Sequence, residues 1–259
     1  KPSGDRKNIK INTATITTTG AQTYNDAITL GTGVTLDATA AAINLSSTAD
    51  GAQTLALNTT GVTTIAGNVG GTTPLTTLST SATGGTVIGV GGTPVNITAT
   101  TQTYGDTITL GANATLTGTT PTFFTTAMAG AGFDATLDFT GTTTLDATFT
   151  GIRNLVTGNT GGTTIAGSIS TTGVQTYNDA VTLSTGAIVL TSTGVGSAGD
   201  IHFVSTLAGG GQTLSLVSQG SVTFDGAVTA LNSLTTDSGG STVINGGAVT
   251  TTTAGQTFG

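Results

Sequence analysis

Gln22–Leu30 reads QTYNDAITL, Gln102–Leu110 reads QTYGDTITL and Gln175–Leu183 reads QTYNDAVTL, while Gln256–Gly259, QTFG, opens a fourth copy. The copies are spaced by 80, 73 and 81 residues. A second anchor keeps step with the first: Leu75–Gly85 (LTTLSTSATGG), Ile152–Gly162 (IRNLVTGNTGG) and Leu231–Gly240 (LNSLTTDSGG). A fixed period of tens of residues marks a solenoid, propeller or array. Within a copy, short alternating runs such as Ile28-Thr29-Leu30, Val34-Thr35-Leu36 and Ile43-Asn44-Leu45 place aliphatic residues on one face and Thr, Ser or Asn on the other, the period of a strand. No helical stripe is long enough to serve as a βαβ crossover, which excludes a doubly wound sheet.

Composition agrees. Of the 259 residues, 67 are Thr and 41 Gly, Glu is absent, and all 12 acidic residues are Asp. Thr and Gly disfavour helix, whereas Thr, Val and Ile suit a pleated surface punctuated by Gly and Asn. Tandem sandwiches and a parallel solenoid both satisfy this pattern. The core decides between them: with no Trp, three Tyr and eight Phe, the chain lacks the large side chains that fill an 80-residue sandwich, while a narrow solenoid interior takes stacked small aliphatics. The expectation is an all-β chain forming a parallel β-solenoid of about 13 coils, at roughly 20 residues per coil and four coils per 80-residue copy. Residues 1–10 are read as a linker or the end of a preceding segment, and 11–259 as one continuous repeat domain with copies near 22–101, 102–174 and 175–255. Because the C-terminus breaks off inside a motif, the natural polypeptide is expected to continue.

Charge excludes several functions. Four of the five cations, Lys1, Arg6, Lys7 and Lys10, lie in the first ten residues, so Ile11–Gly259 carries 11 Asp against Arg153 alone. Such a body cannot neutralise a phosphate backbone, and an anionic bilayer repels it. No apolar run reaches the 18 or so residues of a membrane span. Absent Cys forbids disulfides and thiolate metal sites.

The series GAQTYNDAITLGTGVTLDA, GGTTIAGSISTTGVQTYNDAVTL and GGSTVINGGAVTTTTAGQTF resembles the repeat regions of filamentous-haemagglutinin-like adhesins, bacterial surface proteins exported by two-partner secretion. The resemblance covers Ile11–Gly259. It implies a right-handed β-helix, an outer-membrane secretion partner, location on the cell surface or outside the cell, and service as the shaft of an adhesin or biofilm-matrix protein. Binding to polysaccharide or to another cell would then fall to other regions. The family's Asn-Pro secretion motifs do not occur in this chain.

Candidate sites are sparse. Asp26, Asp106 and Asp179 recur at one motif position and are of the right type for calcium at a turn; the plainer reading is a carboxylate closing its own turn. Tyr24, Tyr104, Tyr177 and Phe258 could stack on sugars if exposed, and otherwise plug their coils. Asp134, Asp138 and Asp146, with Arg153 nearby, form the best candidate for polysaccharide cleavage. His202 stands outward between Ile201 and Phe203, with no Cys, Glu or second His for a zinc site or triad. Gly194–Asp200 (GVGSAGD) lacks the Lys and helix of a phosphate loop and reads as a corner. Thr-X-Thr triplets would bind ice if they recurred in register on successive coils, but they are irregular along the sequence. The expectation is a non-enzymatic structural segment without cofactors. Its alternatives are a self-assembling sheath, surface-layer or filament subunit stacking end to end, and a carbohydrate- or ice-binding solenoid.

Overall fold

The computed structural model describes residues 7–123, 127–158 and 160–259. The chain is all-β, with parallel strands stacked as a β-solenoid of about 12 turns, close to the expected 13. It divides into two compact units, residues 1–128 and 129–259. Lys1 and Arg6 lie outside the described residues; Ile9–Ile11 is already a strand, paired in parallel with Ile28–Leu30.

In the first unit every turn visits three faces. One runs through Ile9–Ile11, Ile28–Leu30 and Ala49–Asp50, and continues by bridges from Ala49 to Val69 and from Val69 to Ile97. The second stacks Thr15–Thr17, Val34–Thr39, Thr54–Thr59, Leu75–Thr80, Val95–Tyr104 and Thr120–Phe123; the third stacks Gln22–Tyr24, Ile43–Leu45, Val62–Ile65, Gly85–Ile88 and Ile108–Leu110. Alternation puts one side chain in two inside, where like sits on like: Val34, Leu55 and Leu78 form one column, and Leu45, Ile65, Ile88 and Leu110 another, all buried. Parallel pairing of successive turns rules out separate antiparallel sandwiches.

The second unit repeats the three-faced plan. Ala135–Phe139, Leu155–Thr157, Gln175–Tyr177, Ile201–Phe203, Ser221–Phe224 and Ser241–Ile244 make one face; Thr142–Leu145, Gly162–Ile165, Ala180–Leu183, Leu207–Ala208, Val228–Leu231 and Val249–Thr251 make the next. The third holds Ile169–Thr171, Ala187–Val195, Thr213–Gln219, Ser233–Thr236 and Gln256–Thr257. Three of its aromatics form a stack. Tyr177 lies on Phe203 with ring centroids 5.0 Å apart and planes at 14°, and Phe203 lies on Phe224 at 5.2 Å and 9°.

The repeat is not a whole number of turns. From Gln22 the chain returns to the same face at Ile43, Thr63 and Thr86, then crosses the first face and reaches Gln102 on the second. From Gln175 it returns at Ile201, Val222 and Thr242, then crosses the next face and reaches Gln256 on the third. One copy thus spans three turns and two faces, a little short of the four coils expected, so in each unit the motif reappears on a different side of the solenoid.

Candidate functional site

The residues that the two sequence anchors share converge at corners of the coil. In QTYxD the Gln is inward and ties the corner before its strand. Gln22 Nε2 donates to the carbonyl of Ile16 in its own turn (3.0 Å) and of Asp37 in the next (2.8 Å). Gln102 does the same to Ile97 (3.3 Å) and Thr117 (2.8 Å), and Gln175 to Thr171 Oγ1 (3.2 Å) and the Thr191 carbonyl (2.8 Å). The Tyr two residues on returns inward and donates its hydroxyl to the Gln Oε1, at 2.8 Å for Tyr24 and Tyr104 and 2.9 Å for Tyr177. Tyr104 and Tyr177 have no exposed surface, and burial raises both phenols above their ordinary range. These rings cannot stack on a sugar. Tyr24 is half-buried in the same bond, and Phe258 is exposed.

The Asp of the motif ties the corner after its strand, and of its two partners one comes from the second anchor and the other is the residue just after it. Asp106 Oδ1 accepts from Thr80 Oγ1 (3.1 Å) and Thr86 Oγ1 (2.7 Å), which bracket the corner of the preceding turn. Asp179 Oδ1 accepts from Thr157 Oγ1 (2.9 Å) and Thr163 Oγ1 (2.8 Å) in the same arrangement. Both Asp are buried, at 3% and 4% exposure. Burial pushes both carboxyls above the ordinary carboxylate range, against the opposing pull of the Thr hydroxyls. The two carboxyls thus point inward to the preceding turn. Asp26 differs because its neighbour below is different: Ile28 stacks on Ile9, where Ile108 stacks on Thr86 and Val181 on Thr163, so a methyl-bearing chain replaces a hydroxyl. Asp26 is half-buried. In the last copy Thr236 and Thr242 bracket a corner and bond each other at 2.9 Å.

The acidic cluster is dispersed by the fold. Asp134 forms a two-point pair with Arg153, Nε to Oδ1 at 2.7 Å and a second nitrogen to Oδ2 at 2.8 Å, and the Arg153 hydrogen bond is the main cause that holds this carboxyl below its ordinary range. Asp138 stands on the outer side of Ala135–Phe139, and Asp146 closes its own turn on the Thr148 amide at 2.9 Å. Arg153 is therefore engaged structurally and is not poised over a pair of carboxylates. Among the described residues no three His, Cys, Asp or Glu side chains gather as a metal site would require.

His202 has a partner that the sequence did not reveal. Its Nε2 lies 2.6 Å from Asp225 Oδ2, and Asp225 Oδ1 accepts from Asn245 Nδ2 at 2.8 Å, a ladder over three successive turns on the surface. Asn245 and then His202 hold the Asp225 carboxyl below its ordinary range. Gly196–Gly199 is a 3-10 turn; Asp200 Oδ1 accepts from the Ser221 amide at 2.7 Å, and the groove of about 400 Å³ beside it is lined by Gly and Ser together with Asp200 and Gln219, with no Lys or Arg among them. It is a corner, as its sequence suggested.

Outward Thr are ordered in a way their sequence spacing conceals. On the second face of the first unit, Thr54, Thr77, Thr101 and Thr120 stack in one column, and Thr35, Ala56, Ser79 and Thr103 in the next. The members of the second column stand 21, 23 and 24 residues apart, because turns differ in length. A linear search for a constant interval therefore misses them.

No family model, curated protein or solved structure matches this chain.

Proposed function

We propose that this chain is a segment of the structural shaft of a large secreted bacterial adhesin or biofilm-matrix protein, one that projects a binding region from the cell and catalyses nothing itself. The observation that carries the reading is where the motif residues spend their polar groups. Gln102, Asp106, Gln175 and Asp179, the residues that recur, are turned inward to fasten one turn to the next, and the ionisable pairs left outside, Asp134 with Arg153 and Asp225 with His202, each bridge one turn to another. Parallel backbone ladders over a continuous apolar interior supply stiffness in each unit, since every turn depends on its neighbours for burial. The resemblance to filamentous-haemagglutinin-like repeats supports the extracellular part of the reading. Labelling of intact producing cells with antibodies raised against this chain tests it: surface label without permeabilisation is expected, and label that appears only after permeabilisation overturns it. Turnover in a reducing-sugar assay would overturn the non-enzymatic part.

The aligned columns of Thr54, Thr77, Thr101 and Thr120 and their neighbours favour a second reading, binding to ice. The Thr hydroxyls and methyls of the first column repeat about every 4.8 Å between turns, and the second column, about 6.8 Å away along the strand, adds Thr35, Ser79 and Thr103 with Ala56 interposed, all uncharged. Inhibition of ice recrystallisation that Thr77→Lys abolishes would establish it; ice growth unaffected by the wild-type chain dismisses it.

A further inference from the structure

Two buried carboxyl groups, one in each unit, sit where the fold offers hydroxyl donors but no counter-charge. Asp106 Oδ1 is satisfied by Thr80 and Thr86, yet its Oδ2 is buried with no partner among the described residues. The strands packed around it, Leu75–Thr80, Gly85–Ile88, Val95–Tyr104 and Ile108–Leu110, carry no Lys, Arg, His or Asp; their one titratable group is Tyr104, whose hydroxyl is committed to Gln102. Around Asp179 the strands Leu155–Thr157, Gly162–Ile165 and Ala180–Leu183 are likewise uncharged, Tyr177 is committed to Gln175, and His202 on Ile201–Phe203 faces outward to Asp225. The charge that reaches Asp179 is that of Asp138, which is repulsive.

A charged carboxylate left without a cation or a full set of donors in such surroundings is expensive, whereas the protonated acid is a neutral polar group that still accepts from both Thr. We infer that Asp106 and Asp179 close their corners as uncharged acids, so that the solenoid carries two acid-locked clasps that loosen when their protons leave. Each clasp joins the strand ends of one turn, Thr80 with Thr86 or Thr157 with Thr163, to the corner of the next, so loosening acts on the linkage between turns. Burial raises both carboxyls above the unfolded value of 3.8. The folded chain therefore holds more protons than the unfolded chain between that value and the raised one. Stability contributed by the clasps is full below the unfolded value, falls as pH rises through this window, and is flat above it. The inference does not depend on the adhesin reading, since it concerns the interior of the fold.

The test combines two measurements on the whole chain. Carbon NMR of the Asp carboxyls in the wild-type protein should show Asp106 and Asp179 titrating above the ordinary range; titration of both at or below it overturns the inference. Asp106→Asn and Asp179→Asn keep the Oδ1 acceptor and remove the ionisation. Each variant should unfold in urea at a midpoint no lower than wild type at neutral pH, with a gain over wild type that shrinks on acidification toward about pH 3. Variants that lose stability at neutral pH and regain it in acid would show that the carboxylate, not the acid, is the fastening form, and would overturn the inference.

Discussion

Gln175 and Tyr177 show how a solenoid uses polar residues without a site. Gln175 reaches two turns at once, and Tyr177 satisfies its remaining oxygen. Tyr177→Phe should cost about 0.5–1.5 kcal/mol, the worth of one net hydrogen bond, whereas Gln175→Leu should cost about 1–3 kcal/mol for each buried group it orphans, among them the Thr191 carbonyl and the Tyr177 hydroxyl. Urea unfolding followed by circular dichroism distinguishes the two. Asp134 behaves oppositely to Asp106. Its pair with Arg153 holds the carboxyl down, so the stability it gives is present above the ordinary value of 3.8 and is lost as pH falls through the lowered value. Asp134→Asn should therefore reduce stability at neutral pH and make no difference in strong acid, by no more than about 1 kcal/mol because the pair is partly exposed. The offset of two between Gln and Tyr recurs in the sequence, but the partnerships of Asp106 and Asp179 with Thr are not legible there. Thr80 and Thr86 precede Asp106 by 26 and 20 residues, whereas Thr157 and Thr163 precede Asp179 by 22 and 16, and no fixed offset links them.

At the scale of the element, strands contribute columns and corners contribute close contacts. Phe203 is the middle ring of the Tyr177, Phe203, Phe224 stack and is 1% exposed. Phe203→Ala should cost about 3–5 kcal/mol, since the flanking rings cannot collapse into the gap while the backbone ladder holds them one turn apart. The paired glycines of the second anchor have a different reason. A Cβ at Gly240 would lie 1.6 Å from the Gly220 carbonyl oxygen, and one at Gly84, where φ is +106°, would lie 2.2 Å from that of Gly61. Corner backbone is stacked on corner backbone there. Gly240→Ala should destabilise by about 1–3 kcal/mol or more through forced separation of the turns, visible as a lower thermal midpoint without a change in the far-ultraviolet spectrum at low temperature. The recurrence of these glycines was plain in the sequence; that they face the carbonyl of the previous turn was not.

For the whole molecule, the consequence of a formal charge of −7 and five cations is a scarcity of places for a trypsin-like protease to cut. Of the described cations, Lys7 precedes the first strand, Lys10 lies within it and Arg153 lies within a turn. The Arg153 amide donates to the Phe133 carbonyl at 2.9 Å, and its carbonyl accepts from Gly173 at 2.7 Å, so its backbone is fastened to the turns on both sides. A protease needs that segment released and extended. Limited trypsin treatment should trim the N-terminal residues and leave Arg153–Asn154 intact until urea unfolds the second unit, as read by intact-mass spectrometry; early cleavage there would show a locally open turn.

The sequence by itself determined the class of fold. Alternation with period 2, small aliphatics, turn residues at short intervals and two anchors in step leave few architectures that bury the apolar face of so many short strands. It also indicated that no segment was built like a membrane helix or a nucleic-acid interface. Only the tertiary structure decided the phase: turns of 19 to 28 residues in the first unit, a repeat of three turns and two faces, and hence which Thr meets which Asp. The physical reason is that backbone pairing fixes neighbours across turns, while the corners absorb insertions without disturbing the ladder. Residues about 20 apart become contacts, but which ones depends on how many residues each corner has taken up.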